Sequence, residues 1–240
     1  MMRLRLVTLL ALLVSVPALA GRFDPYSAEY SLYRGGSTLG TGTVSLKAAD
    51  KPDCFIYSYL AKPSWLFRWA TGSITERSEF CLIDGLMVPE RYRFHRSGIG
   101  AEDDNFSLDF DPERRVITDH KGMERDWPLG ALDRLQVQLE ALRLVEGIEL
   151  PPAPRSLTVE VVDDDRIKEY TLAVTGSETI KVPAGSFETV RVERINDPKK
   201  TTRFWVAPAL GDLLVKVEQQ RKDDPPIGIE LSRVPGGQGR

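Results

Sequence analysis

Histidine and cysteine are scarce in this chain: two of each, His95, His120, Cys54 and Cys81, among 240 residues. No H-E-x-x-H, no G-x-S-x-G, no C-x-x-C and no phosphate-cradling G-x-x-x-x-G-K-[ST] occurs. With those patterns absent, no catalytic set, no metal site and no cofactor is expected. Long apolar runs are lacking too, except in the first twenty residues. There Met1 to Arg5 carries two arginines and no acid, Leu6 to Val16 is apolar, and Ala18-Leu19-Ala20 is a small-x-small cleavage site. That combination predicts a secretory signal peptide over 1–20 and a mature chain beginning at Gly21. Residue 21 is not cysteine, so no lipid anchor is expected, and no later stretch approaches the eighteen or so residues of a membrane span.

An excess of basic charge is also absent. Removing the leader takes Arg3 and Arg5 from the 32 basic residues and none of the 35 acidic ones, so the remainder is acidic by about 5. Nucleic acid is therefore not an expected partner, because binding it needs a basic footprint that displaces counterions from phosphates. The expected destination is the periplasm or the exterior.

In such an oxidising compartment Cys54 and Cys81 are expected to form a disulfide. Cys54 to Ser64 and Thr71 to Cys81 read as two arms of a hairpin with its tip at Trp65 to Ala70. That pairing sets the cysteines opposite each other at the base, where antiparallel Cα atoms stand about as far apart as a disulfide requires.

From residue 26 onward the pattern is period-2 alternation broken by turn residues. Tyr26 to Arg34, Thr38 to Ala48, Ser73 to Ile83, Leu86 to Arg96, Asp104 to Phe110 and Arg115 to His120 read as strands, with turns at Gly35-Gly36, Asp84-Gly85 and Asp111-Pro112-Glu113. Leu132, Leu135, Leu139 and Leu142 instead recur at spacings of 3 and 4, which predicts one amphipathic helix over 132–146. Asp133 with Gln136 resembles a capping box and Gly147 is a stop. Leu150-Pro151-Pro152-Ala153-Pro154 is a stiff connector. Beyond it, strands are expected at Ser156 to Val162, Ile167 to Val174, Glu178 to Val182, Ser186 to Ile195, Thr202 to Val206, Asp212 to Arg221 and Ile227 to Val234. The organisation expected is one β-rich domain, 21–234, of two halves joined near 148–155, with a disordered tail at 235–240.

Four phrases together resemble a family of exported bacterial proteins, domain of unknown function 3108. They are Gly35-Gly36-Ser37-Thr38-Leu39-Gly40, Asp84-Gly85-Leu86-Met87-Val88-Pro89, Val182-Pro183-Ala184-Gly185-Ser186-Phe187-Glu188-Thr189-Val190, and Phe204-Trp205-Val206-Ala207-Pro208-Ala209-Leu210-Gly211. Leu214 departs from the pattern, standing where the family's proline is expected. The resemblance implies a mainly β (α+β) fold, a strongly curved antiparallel sheet or partial barrel around one helix. It implies no activity.

The residues offer few sites of their own. His95 shares strand parity with Arg91 and Arg93 and reads as part of a solvated basic face; His120 reads as a strand end. Glu102-Asp103-Asp104 and Asp163-Asp164-Asp165 lack the alternation and the bend glycine of a calcium loop and read as solvated turns. The aromatic tip Trp65-Leu66-Phe67-Arg68-Trp69 is the most suggestive feature. Aromatic and arginine enrichment fits a ligand, partner or membrane-interface surface, while fold-back burial is the competing reading. Around Phe204-Trp205, alternate strand faces make at least one ring a core residue. Arg91 and Arg93, with Arg96, Arg114 and Arg115, form either an anion-receptive strip or ordinary cross-strand ion pairs.

The leading functional expectation is a non-enzymatic envelope protein that binds an apolar or amphiphilic ligand, such as a lipid, or another envelope protein. An assembly or structural factor and a hydrolase of cell-wall or lipid material are the alternatives. An apolar pocket favours the ligand, converging carboxyls in a cleft favour the enzyme, and a flat aromatic patch favours assembly.

Overall fold

The structure is a computed structural model that describes residues 23–65, 72–98 and 105–235. Its architecture follows from the alternation. Strands β1 (Tyr26–Arg34), β2 (Ser37–Ala48), β3 (Cys54–Pro63), β4 (Ile74–Ile83), β5 (Leu86–Arg96), β6 (Phe106–Asp111), β7 (Val116–Asp119) and β8 (Glu124–Asp126) form a meander. Then come β9 (Leu132–Asp133), helix α1 (Val137–Val145), and a second meander of β10 (Ser156–Asp163), β11 (Arg166–Val182), β12 (Gly185–Arg194), β13 (Lys200–Ala207), β14 (Leu213–Arg221) and β15 (Ile227–Arg233). Among the described residues all fifteen strands join one sheet, ordered β8-β7-β6-β5-β4-β3-β2-β1-β15-β14-β13-β12-β11-β10-β9. Pairing is antiparallel except where β9 runs parallel to β10.

The first and last strands meet inside this order, because β1 pairs with β15. The two meanders are therefore welded edge to edge at β1–β15, and the free edges are β8 and β9. β9 curls back to lie against β5, so the sheet rolls up without its edges pairing. One face of each strand turns inward: Ala28, Tyr30 and Leu32 in β1, Val44 and Leu46 in β2, Val190 and Val192 in β12 are all buried. Gly40 shows how tightly β2 approaches β3, for a Cβ there would lie 2.3 Å from the carbonyl oxygen of Lys62. Asp84 (φ 52°) and Gly85 (φ 77°) both take the left-handed conformation that a two-residue hairpin turn demands.

Helix α1 closes the interior. Val137, Leu139, Ala141, Leu142, Leu144 and Val145 are all buried, so the helix is wrapped by the sheet rather than laid on its surface. It is shorter at its N-terminus than the leucine spacing predicts, because Leu132 and Asp133 pair with Val161 and Val162 as β9. The reciprocal bonds expected of a capping box form in the turn before the helix, whose own N-cap, Gln136, makes no side-chain cap. Asp133 Oδ1 accepts the backbone N–H groups of Leu135 (2.9 Å) and Gln136 (3.0 Å), and Gln136 Oε1 accepts the N–H of Asp133 (3.0 Å).

Two other expectations are corrected, and one strand is added. Ile167 to Val174 and Glu178 to Val182 are one 17-residue strand, β11, in which a bulge at Val174 to Gly176 absorbs the apparent break. β8, with only three residues, is too short to show a period. Asp163 is not a solvated turn residue: it ends β10 half-buried, and only Asp164 and Asp165 form the turn. The expected leader at 1–20 lies outside the described residues, as does the tail beyond Pro235.

Cys54 and Cys81 are disulfide-bonded and directly opposed in the β3–β4 register. Among the described residues no helix is long and apolar enough to cross a membrane.

Candidate functional site

At one end of the rolled sheet, β3, β5, β10 and β12 finish while β4, β11, β13 and β15 begin, and there the interior opens into a cleft. One arm is a cavity of about 300 Å³ lined by apolar groups, including Leu32, Leu39, Tyr59, Ala61, Ile227 and Ile229. The second arm, about 450 Å³, is lined by charge: Arg134, Lys168, Arg194 and Lys200, with Glu76, Asp163 and Asp197. Ile74, Glu76, Gln138, Val217 and Gln219 line both, so the arms adjoin. Gln138 reaches the junction from α1, its Oε1 accepting the hydroxyl of Tyr57 at 2.9 Å.

Arg134 is the hub of the charged arm. It follows β9, and so the chain that closes the roll also carries it inward. Its guanidinium reaches Glu76 (3.2 Å) on β4 and Asp163 (3.4 Å) on β10, and stands 4.7 Å from the ring centre of Phe94 on β5. Lys168 donates to Asp163 at 2.6 Å. Burial works against the Asp163 carboxylate, yet the Lys168 hydrogen bond and the Arg134 charge outweigh it and hold its pKa below the ordinary value. Arg194 lies 3.5 Å over the ring of Tyr170 and pairs with Asp197 at 2.9 Å. Partial burial opposes ionisation of Asp197 too, and the backbone N–H of Lys199 together with Arg194 tips it below the usual range.

Just outside the cleft, the roll is fastened by a second carboxylate. Asp133 is fully buried and accepts or shares a hydrogen bond of 2.5 Å with the equally buried Ser78 of β4. Burial pushes the Asp133 carboxyl up to about 7, against the hydrogen bonds from Ser78, Gln136 and Leu135. This Ser–Asp pair does not line the cleft. A third tie runs from Arg125 on β8 to the carbonyl of Asp164.

The sequence-derived candidates fall into separate places. Trp65 lies two residues beyond Pro63, which lines the apolar arm with Gly72, and its side chain is 76% exposed. Leu66, Phe67, Arg68 and Trp69 lie outside the described residues. Arg91 and Arg93 line neither arm. Arg91 pairs across the strand with Asp109 of β6 at 2.5 Å, and Arg93 is exposed opposite Ser107. His95 and His120 are exposed and also lie off the cleft. Trp205 is buried along with Phe204, its indole N–H donating to Glu178 at 2.9 Å.

The charged cluster has seven members, each from a different strand or connection, and the sequence reading missed it. One signal was present: Glu76, Lys168 and Arg194 share strand parity with the buried Ser78, Leu172 and Val192 and lie within three residues of a strand end. A charge at core parity next to a strand end marks the mouth of a β interior.

Among solved structures, the chain is similar to a β-barrel-like protein of domain of unknown function DUF1849 from Brucella abortus, with 13% identity and a TM-score of 0.54 over 89% of this chain and 98% of that one. It is also similar to the hypothetical lipoprotein YmcC from Escherichia coli, with 13% identity over 88% of this chain and 85% of that one and a TM-score of 0.33. No curated protein matches the chain. The first likeness supports the rolled, barrel-like architecture and nothing about activity. Matched over residues 29–232, the chain belongs to the family described as protein of unknown function DUF3108.

Proposed function

We propose that this is an exported, non-enzymatic envelope protein that holds an amphiphilic ligand in the cleft between its two meanders. The observation that carries this reading is an apolar arm and a charged arm that adjoin and share five lining residues. An amphiphile has the same two-part chemistry, and ligand cavities are characteristically apolar with a few fixed polar groups. Export follows from the leader expected at 1–20 and agrees with the Cys54–Cys81 bond, which persists in oxidising compartments.

The converging carboxylates would favour a hydrolase if they were available to move protons. Asp163 and Asp197 are instead held ionised by cations, and Glu76 is engaged by both Arg134 and the Tyr92 hydroxyl. An assembly role draws support from one feature, the exposed indole of Trp65 beside the mouth.

Native mass spectrometry of protein purified from its own envelope tests the reading. The expected result is a retained small amphiphile that is lost from Ile227→Trp, a substitution that fills the mouth of the apolar arm. A ligand-free protein associated with a second polypeptide would replace carriage by assembly.

A further inference from the structure

Within the cleft, every carboxylate oxygen already has a partner. Glu76 Oε1 takes Arg134 and its Oε2 takes the Tyr92 hydroxyl. Asp163 Oδ1 takes Arg134 and Oδ2 takes Lys168. Asp197 Oδ2 takes Arg194, and Oδ1 takes the backbone N–H groups of Lys199 and Lys200. Four cations thus face three acids, and the cation left over is Lys200. Its ammonium carries three donors, yet among the described residues its one hydrogen bond is 3.4 Å long, to Gln219 Oε1, and none of their carboxylates forms an ion pair with it.

We propose that Lys200 is the seat for the anionic head, phosphate or carboxylate, of a single-chain amphiphile whose tail lies in the apolar arm. The proposal rests on the interior-cleft reading above and names its ligand class. Three observations support it. Gln219, whose side-chain oxygen accepts from the Lys200 ammonium, lines both arms, so Lys200, itself in the lining of the charged arm, stands one side chain away from the apolar arm. Burial and the neighbouring charge of Arg194 lower the Lys200 pKa despite the opposing pull of Asp197 and Asp163, so an arriving anion would relieve an existing electrostatic cost. The apolar arm, at about 300 Å³, is at the small end of ligand cavities and suits one chain rather than several.

Calorimetric titration of the purified protein with three probes tests the proposal: dodecyl phosphate, the uncharged dodecyl maltoside, and inorganic phosphate. Dodecyl phosphate is expected to bind most tightly, and Lys200→Gln to weaken it roughly tenfold, as loss of one charge-assisted hydrogen bond does. Gln219→Glu should weaken it as well, by giving Lys200 a counterion of its own. Both variants should keep the wild-type affinity for dodecyl maltoside, which also reports that they are folded. If dodecyl maltoside binds as well as dodecyl phosphate and neither variant changes anything, the anionic head is overturned while the cleft reading survives. If inorganic phosphate binds as tightly as dodecyl phosphate, the site takes a free anion and the lipid source is overturned. If no probe binds the wild type, both readings fall together.

Discussion

Asp133 shows what one side chain does for closure of the roll. Its carboxyl, raised to about 7 by burial, is protonated in the folded chain at pH values where an unfolded aspartate is already ionised. The folded state therefore binds the extra proton between about pH 4 and 7, and the associated stability is present below that window and lost as pH rises through it. The slope is about 1.4 kcal/mol per pH unit where the two states differ by a full proton. Asp133→Asn keeps an oxygen for the Leu135 and Gln136 amides and supplies an N–H toward Ser78, as the protonated acid does. Urea melts at pH 5 and pH 8 should find the variant equally stable at both, and the wild type weaker at pH 8; equal pH slopes would remove Asp133 as the source. Trp65 behaves oppositely. With most of its surface in water, Trp65→Ser should change stability by less than about 0.5 kcal/mol in the same assay.

Elements divide into those the residue pattern specifies and those that only the closed fold creates. Alternation and Asp84-Gly85 made the β4–β5 hairpin readable, and the opposed cysteines made the β3–β4 hairpin readable, because both depend on neighbours in sequence. Breaking the Cys54–Cys81 bond by the double change to Ser should cost about 3 kcal/mol, from the entropy of a 27-residue separation, in a denaturant melt against the oxidised wild type. The leucine stripe was equally plain. Leu139 is fully buried, and Leu139→Ala should cost roughly 2 to 5 kcal/mol in the same measurement. β9 was not readable, since two residues carry no period and its partner Val161 lies 29 positions from Leu132. The charged arm was hidden for the same reason: Glu76, Arg134 and Asp163 become neighbours only when β9 folds back toward β4 and β5. Asp163 looked like the first residue of an acidic turn because its two followers are one.

At the scale of the molecule, the cleft lies between walls drawn from both meanders. Tyr59 and Ala61 of β3 line the apolar arm with Val217 of β14 and Ile229 of β15, while Arg134 ties β4 to β10 across the charged arm. A bound amphiphile would touch all of these strands at once, and anything that binds only the folded state stabilises it by mass action. At a free concentration of dodecyl phosphate one hundred times its Kd, that stabilisation is about 2.7 kcal/mol. For a domain of this size it corresponds to a melting temperature higher by roughly 5 to 10 °C. Amide exchange should locate the effect, slowing at the mouth ends of β3, β4, β13 and β15 together. Inner-wall amides that slow on one meander alone, with the melting temperature unmoved, would place the amphiphile on the outer surface instead of between the walls.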